Sequence, residues 1–225
     1  MRRAARKPTM KRLAILISGR GSNMAAILEA VRAGEIAGSI AGVISNRQAA
    51  PGLALAGEHG VPTTVVDHAA FADRAGFERE LSAAVDALSP DLIVLAGFMR
   101  VLGPDFVGHY RGRLLNIHPS LLPAYPGLHT HRRALADGVK VHGCTVHFVT
   151  PQIDHGPIVA QAAVAVHEDD DEARLAARVL RAEHRILVAA VKWFCADRLV
   201  IDGNRVHVKD DTTGAETLLV PALQR

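Results

Sequence analysis

The chain has 225 residues, 49% hydrophobic and 22% charged, which is apolar enough to exclude a disordered chain and long enough to bury one sizeable core. Its formal charge of +3 comes from one end. Arg2, Arg3, Arg6, Lys7, Lys11 and Arg12 lie in an acid-free opening, and the remainder carries 20 basic residues against 23 acidic, so the body offers no polycationic face for nucleic acid.

Residues 1–12 therefore read as a basic, disordered leader without chemistry. Cys144 and Cys195 form no C-x-x-C pair and read as buried thiols of a reducing compartment. No apolar run approaches the ~18 residues of a membrane span, and the chain is expected to be cytoplasmic, with no membrane partner.

From Leu13 short apolar runs alternate with amphipathic stretches. "LAILI" predicts a first strand, "SNMAAILEAVRAG" a helix, "SIAGVIS" a second strand, and "PGLALAGEHG" a helix opened by Pro51. "TTVVD" predicts a strand, residues 71–88 a helix, "DLIVLAG" a strand, the stretch after Pro104 a short helix, and "LLNIH" another strand. Strands that are apolar throughout predict a parallel sheet covered on both faces.

"HGCTVHFV" and "IVAQAAVAV" then read as an antiparallel pair, because "TPQIDHGP" between them is too short for a crossover helix. A long helix follows from about Asp170, with Leu175, Val179, Ile186, Ala190 and Trp193 near one stripe, and "LVIDGNRVHV" predicts a terminal hairpin. The fold class is α/β, Rossmann-like, with a mostly parallel central sheet and an antiparallel C-terminal portion.

Ligands of such sheets lie beyond the carboxyl ends of the strands, and two polar segments fall there. "ISGRGSN" (17–23) places glycines and a serine between strand and helix, where backbone N–H groups can cradle a phosphate or simply form a tight turn. It is not a dinucleotide fingerprint. Met24 occupies the third glycine position, Asn46 stands where an acidic residue would end the second strand, and G-K-[ST] is missing for a Walker loop.

In "LLNIHPSLLPAYPGLHTHRRAL" (114–135) prolines at 119, 123 and 126 stop the strand, leaving Asn116 and His118 two residues apart on one face. The amide can donate to an oxyanion and the imidazole can move a proton. Asp154, in a loop bounded by glycine and proline, can orient the imidazole. No nucleophile stands beside them, so the set fits direct acyl transfer between two bound substrates, or else a polar strand end capped by local hydrogen bonds. His129 and His131 open a helix pointing in different directions, there is no H-E-x-x-H, and no metal is expected.

Together "LISGRGSN", "LAGFMRVL", "LLNIHPSLLPAYPGLHTHRRAL", "HGCTVHFV" and "IDHGPIVAQ" resemble, in order, the phosphoribosylglycinamide formyltransferases, a folate-dependent family of purine synthesis. The resemblance implies formyl transfer from 10-formyltetrahydrofolate to the amine of glycinamide ribonucleotide without a metal, a formyltransferase domain over 13–209, and a tail over 210–225. It implies Asn116, His118 and Asp154 as catalytic, Gly21, Ser22 and Asn23 as phosphate-binding, and Glu183 as a ribonucleotide contact.

For the folate it implies Arg74, Met99, Arg100, Val101, Leu102, Asn116 and the loop Thr150, Pro151, Gln152, Ile153 and Asp154. Without the resemblance, Arg74 reads as a solvated helix residue and Met99, Val101 and Leu102 as core. A formyltetrahydrofolate hydrolase, which shares the chemistry but accepts water, and a non-catalytic nucleotide sensor are the alternatives. Monomer and homodimer are both compatible with the resemblance.

Overall fold

The computed structural model describes residues 10–210. Among the described residues nine strands form one sheet in the order β3-β2-β1-β4-β5-β6-β7-β9-β8. Its parallel half comprises β1 (Lys11–Ile17), β2 (Gly38–Ser45), β3 (Thr63–Val65), β4 (Leu92–Leu95) and β5 (Leu114–His118). Strand order reverses between β1 and β4, which opens a crevice at their carboxyl ends.

β6 (Val141–Phe148) and β7 (Ile158–Ala165) continue the sheet antiparallel, as expected. The hairpin of β8 (Leu199–Asp202) and β9 (Arg205–Val208) closes it, with β9 parallel to β7 at Ile158 and Arg205. That last pairing was not anticipated, because two short half-exposed strands carry no signal for the edge they join.

Neighbouring residues of β1 feed opposite faces of the sheet. Leu13, Ile15 and Ile17 join one buried cluster with helices α1 (Ser22–Arg32) and α6 (Glu172–Cys195). Ala14 and Leu16 join another with α3 (Arg74–Ala87) and α4 (Pro104–His109). This double burial is why the strands are apolar throughout. α2 (Pro51–Glu58) and α5 (Thr130–Ala136) complete the α-helices of the described residues.

Two boundaries differ from expectation. Lys11 and Arg12 belong to β1 rather than to a leader: Lys11 pairs with Asp197 at 3.1 Å, and the Arg12 amide donates to Asp91 at 2.8 Å. The rest of the leader, residues 1–9, and the tail from 211 lie outside the described residues. The helix expected from Phe71 starts at Arg74, because the Asp73 carboxylate accepts from Gly76 N at 2.7 Å and caps it.

The buried ridge of α6 also differs. It runs Leu175, Val179, Glu183, Leu187, Val191, Cys195, one residue every turn, with Ala190 buried beside it as expected and Ile186 and Trp193 only flanking it. A carboxylate thus sits in the middle of an apolar stripe.

Candidate active site

The crevice is entered first from β1. Gly21 caps α1 at φ 76°, and a Cβ there would lie 3.0 Å from Gly52 Cα, so glycine answers both a left-handed turn and a close approach. The first N–H to fold back is that of Ala25, onto the Gly21 carbonyl at 2.8 Å, which leaves the first-turn N–H groups of Ser22, Asn23 and Met24 free for an anion.

The Asn23 side chain is engaged differently from the expected phosphate donor. It is buried, and its Nδ2 donates to Glu183 Oε2 at 2.7 Å. Burial pushes the Glu183 carboxyl upward, opposed by this hydrogen bond. Asn23 Oδ1 is buried without a partner. A free amide oxygen beside a carboxylate makes a pair of acceptors suited to hydroxyl donors.

The second group assembles on β5 and the loop between β6 and β7. The three prolines fold the chain back on itself: Thr130 Oγ1 donates to the Pro119 carbonyl at 2.7 Å, and Ser120 Oγ to the Ala124 carbonyl at 2.6 Å. His118 Nε2–H donates to the Tyr125 carbonyl at 3.0 Å, so its other nitrogen, Nδ1, is the one presented to Asp154 Oδ2 at 3.5 Å. Both side chains are nearly buried.

Asp154 sits at φ 51°, and its Oδ2 accepts from Gly127 N at 2.7 Å, which ties the two loops together. Two residues on, a Cβ on Gly156 would fall 1.7 Å from the Phe148 carbonyl oxygen. Only glycine lets the chain pass there.

Sequence reasoning missed His147. It is 2% exposed, its Nδ1 lies 3.0 Å from the Phe148 carbonyl and its Nε2 lies 3.2 Å from Asn116 Nδ2. A carbonyl can only accept, so Nδ1 carries the proton and Nε2 is a bare acceptor. The Asn116 amide must then turn its NH₂ toward His147, giving one N–H to the ring and leaving the other free. Burial holds the His147 pKa below the ordinary value and favours this neutral form. The pairing register, which sets His147 opposite Asn116, was the available signal.

Two loops border this group. Met99 is 64% exposed, Val101 54% and Ile153 57%, against the expectation of core for the first two, whereas Leu102 is buried. Large apolar side chains held in solvent on adjoining loops mark a ligand slot. Arg100, Pro151 and Gln152 are exposed, and Thr150 Oγ1 donates to the Gln152 carbonyl at 3.1 Å. Arg74 is exposed, 3.6 Å from Glu78, whose carboxylate accepts from Gly103 N at 2.8 Å at the end of the first loop.

Among the described residues no three His, Cys, Asp or Glu side chains gather as a metal centre, and no helix is long and apolar enough to cross a membrane.

A formyl transferase family model matches residues 11–191. The chain belongs to this formyl transferase family. It is 48% identical to phosphoribosylglycinamide formyltransferase of Escherichia coli K12 over 192 residues, 85% of this chain and 91% of that protein.

The crystal structure of glycinamide ribonucleotide transformylase 1 from Symbiobacterium toebii superposes with a TM-score of 0.87 at 48% identity, covering 89% of this chain and 95% of that one. A formyltetrahydrofolate deformylase from Pseudomonas syringae has the same fold, with a TM-score of 0.84 at 29% identity. It matches 90% of this chain but 67% of its own length. The family uses a folate-derived formyl donor.

Proposed function

We propose that this chain transfers the formyl group of 10-formyltetrahydrofolate to the amine of glycinamide ribonucleotide. The observation that carries the reading is the convergence of Asn116, His118 and Asp154, with the nearby Ser120 hydroxyl committed to the Ala124 and Tyr125 carbonyls, in a chain so similar to a named phosphoribosylglycinamide formyltransferase.

The ribonucleotide phosphate takes the free N–H groups at Ser22 and Asn23 behind Gly21, and its ribose hydroxyls donate to Glu183 and Asn23 Oδ1. The folate lies between the apolar side chains of Met99, Val101 and Ile153, with backbone at 99–102 and 150–154 reading its polar edge and Arg74 and Arg100 at the mouth.

The neutral amine attacks the formyl carbon. The oxygen that becomes negative is met by the free Asn116 N–H and by a proton at His118 Nδ1, which Asp154 positions. The amine then gives up a proton, the folate nitrogen receives one, and the carbon–nitrogen bond to the folate breaks. Asp154 also lines an open cavity of about 440 Å³ that reaches Pro123 and β9, which gives water access to that proton. Each step is acid–base or addition–elimination chemistry between two bound ligands, and proximity supplies much of the rate.

The test is the absorbance of 10-formyltetrahydrofolate mixed with protein, with and without glycinamide ribonucleotide. Folate product should form only with the amine, one for one with formylglycinamide ribonucleotide. Formate release unaffected by the amine would make the chain a hydrolase like the Pseudomonas syringae relative.

A further inference from the structure

Asn46 directly follows β2 where a dinucleotide-binding chain carries an acid for its ligand, yet here it is fully buried. Its Oδ1 accepts from Ser18 Oγ at 2.5 Å. The same Ser18 oxygen accepts from Met99 N at 2.7 Å, and the Ser18 amide donates to the Gly97 carbonyl at 3.1 Å. The far side of Asn46 is held by His68, whose Nδ1 lies 2.8 Å from the Asn46 carbonyl.

Ser18 thus stands at the reversal of strand order with its hydroxyl both giving and receiving. Gly19 to Asn23 leave it in one direction, and Met99 opens the other loop. That second loop is clamped at its two ends, by Ser18 at Met99 N and by Glu78 at Gly103 N. Between the clamps the chain has no regular structure and points Met99, Arg100 and Val101 into solvent.

We propose that Ser18 is a positioning residue that couples the two ligand loops, so that each substrate binds more tightly when the other is in place. The inference rests on the assignment of those loops to the ribonucleotide and the folate. A ligand on Gly21 to Asn23 restrains the chain leaving Ser18. That restraint fixes the hydroxyl on which Met99 N–H depends, and ordering is then paid for once rather than twice. Without the hydroxyl, Met99 N–H and Asn46 Oδ1 both lose their partner and the loops move independently.

Calorimetry with glycinamide ribonucleotide and tetrahydrofolate tests this, since tetrahydrofolate has no formyl group and the pair cannot react. Each ligand should tighten the other by about fivefold or more in the wild type, by the same factor in both directions. In Ser18→Ala, and in near-isosteric Ser18→Cys, whose sulfur is a weak acceptor, that factor should fall to within about twofold of unity. Binding of the ribonucleotide alone should stay within about threefold.

A serine needed only for stability would lower the melting temperature and leave the factor unchanged. Retained coupling in both variants, or independent binding of the two ligands to the wild type, would overturn the proposal and leave the transferase reading intact. Failure of the ribonucleotide to bind the wild type at all would overturn both.

Discussion

The two halves of the site are built in opposite ways. The turn at Gly19 to Asn23 is a backbone device. Glycine takes the left-handed step, the first turn of α1 offers its N–H groups, and almost any side chain pointing outward would serve. The group around Asn116, His118 and Asp154 is a side-chain device, held by Tyr125 and Gly127 from the proline loop and by His147 and Phe148 from β6. Outside Gly21 and Asn23, a backbone anchor tolerates substitution and sets affinity. An assembled constellation does not tolerate it, and it sets rate.

The sharpest break in that contrast is Asn116→Ala. It removes one oxyanion donor and should lower kcat by about 10²- to 10³-fold, roughly 2.7 to 4 kcal/mol, with folding intact. Steady-state kinetics retaining half the wild-type kcat would take Asn116 out of the mechanism.

Acid should damage the side-chain half first. His142 is buried edge-on to His131 and Tyr125 beneath the proline loop, and burial, then the neighbouring His131, push its pKa down to about 4 from 6.5. The unfolded chain therefore binds the extra proton first. Stability should be complete above pH 6.5 and fall by about 3 kcal/mol from this residue as pH drops toward 4. Burial depresses His131 with the same sign. Urea midpoints across that range should slope less in His142→Asn, and an unchanged slope would assign the acid sensitivity elsewhere.

Gly156→Ala tests whether the loop must pass close to Phe148. The added Cβ would overlap the Phe148 carbonyl and displace Asp154, so kcat should drop by about 10²-fold, the scale of a 1 Å misplacement. Affinity for the ribonucleotide should hold, because its anchor lies elsewhere. Equal loss of both would mean that the two halves are not separable.

The smallest effect belongs to His147. In His147→Phe the Asn116 amide loses the acceptor that orients it, and kcat should fall by about tenfold, the scale of one modest hydrogen bond, at unchanged KM for either substrate. In His147→Gln an amide oxygen can accept instead, which should recover part of the loss. Identical kinetics in the two variants would reduce His147 to packing.

The same contrast explains what could be read in advance. The alternating strands and helices were legible because the central strands β1, β4 and β5 are buried on both faces, and Asn116 and His118 because a strand's two-residue period puts them on one face. Gly21 was legible as local chain chemistry. His147 was not, since its role comes from cross-strand register and from the Phe148 carbonyl. Glu183 followed only from resemblance, although a carboxylate at every-fourth-residue spacing among Val179, Leu187 and Val191 was a visible anomaly. Met99 and Val101 read as core because composition cannot say which apolar residues the fold leaves in water.

The central claim is that the backbone anchor is used to drive chemistry at the assembled trio, and glycinamide lacking the ribose phosphate tests it most directly. With 10-formyltetrahydrofolate saturating, the truncated amine should lose at least about 10³-fold in kcat/KM, part of it in kcat, because it reaches Asn116 and His118 without being held there. Free glycinamide formylated within tenfold of the ribonucleotide rate would contradict the account and leave Gly21 to Asn23 as a turn with no part in the reaction.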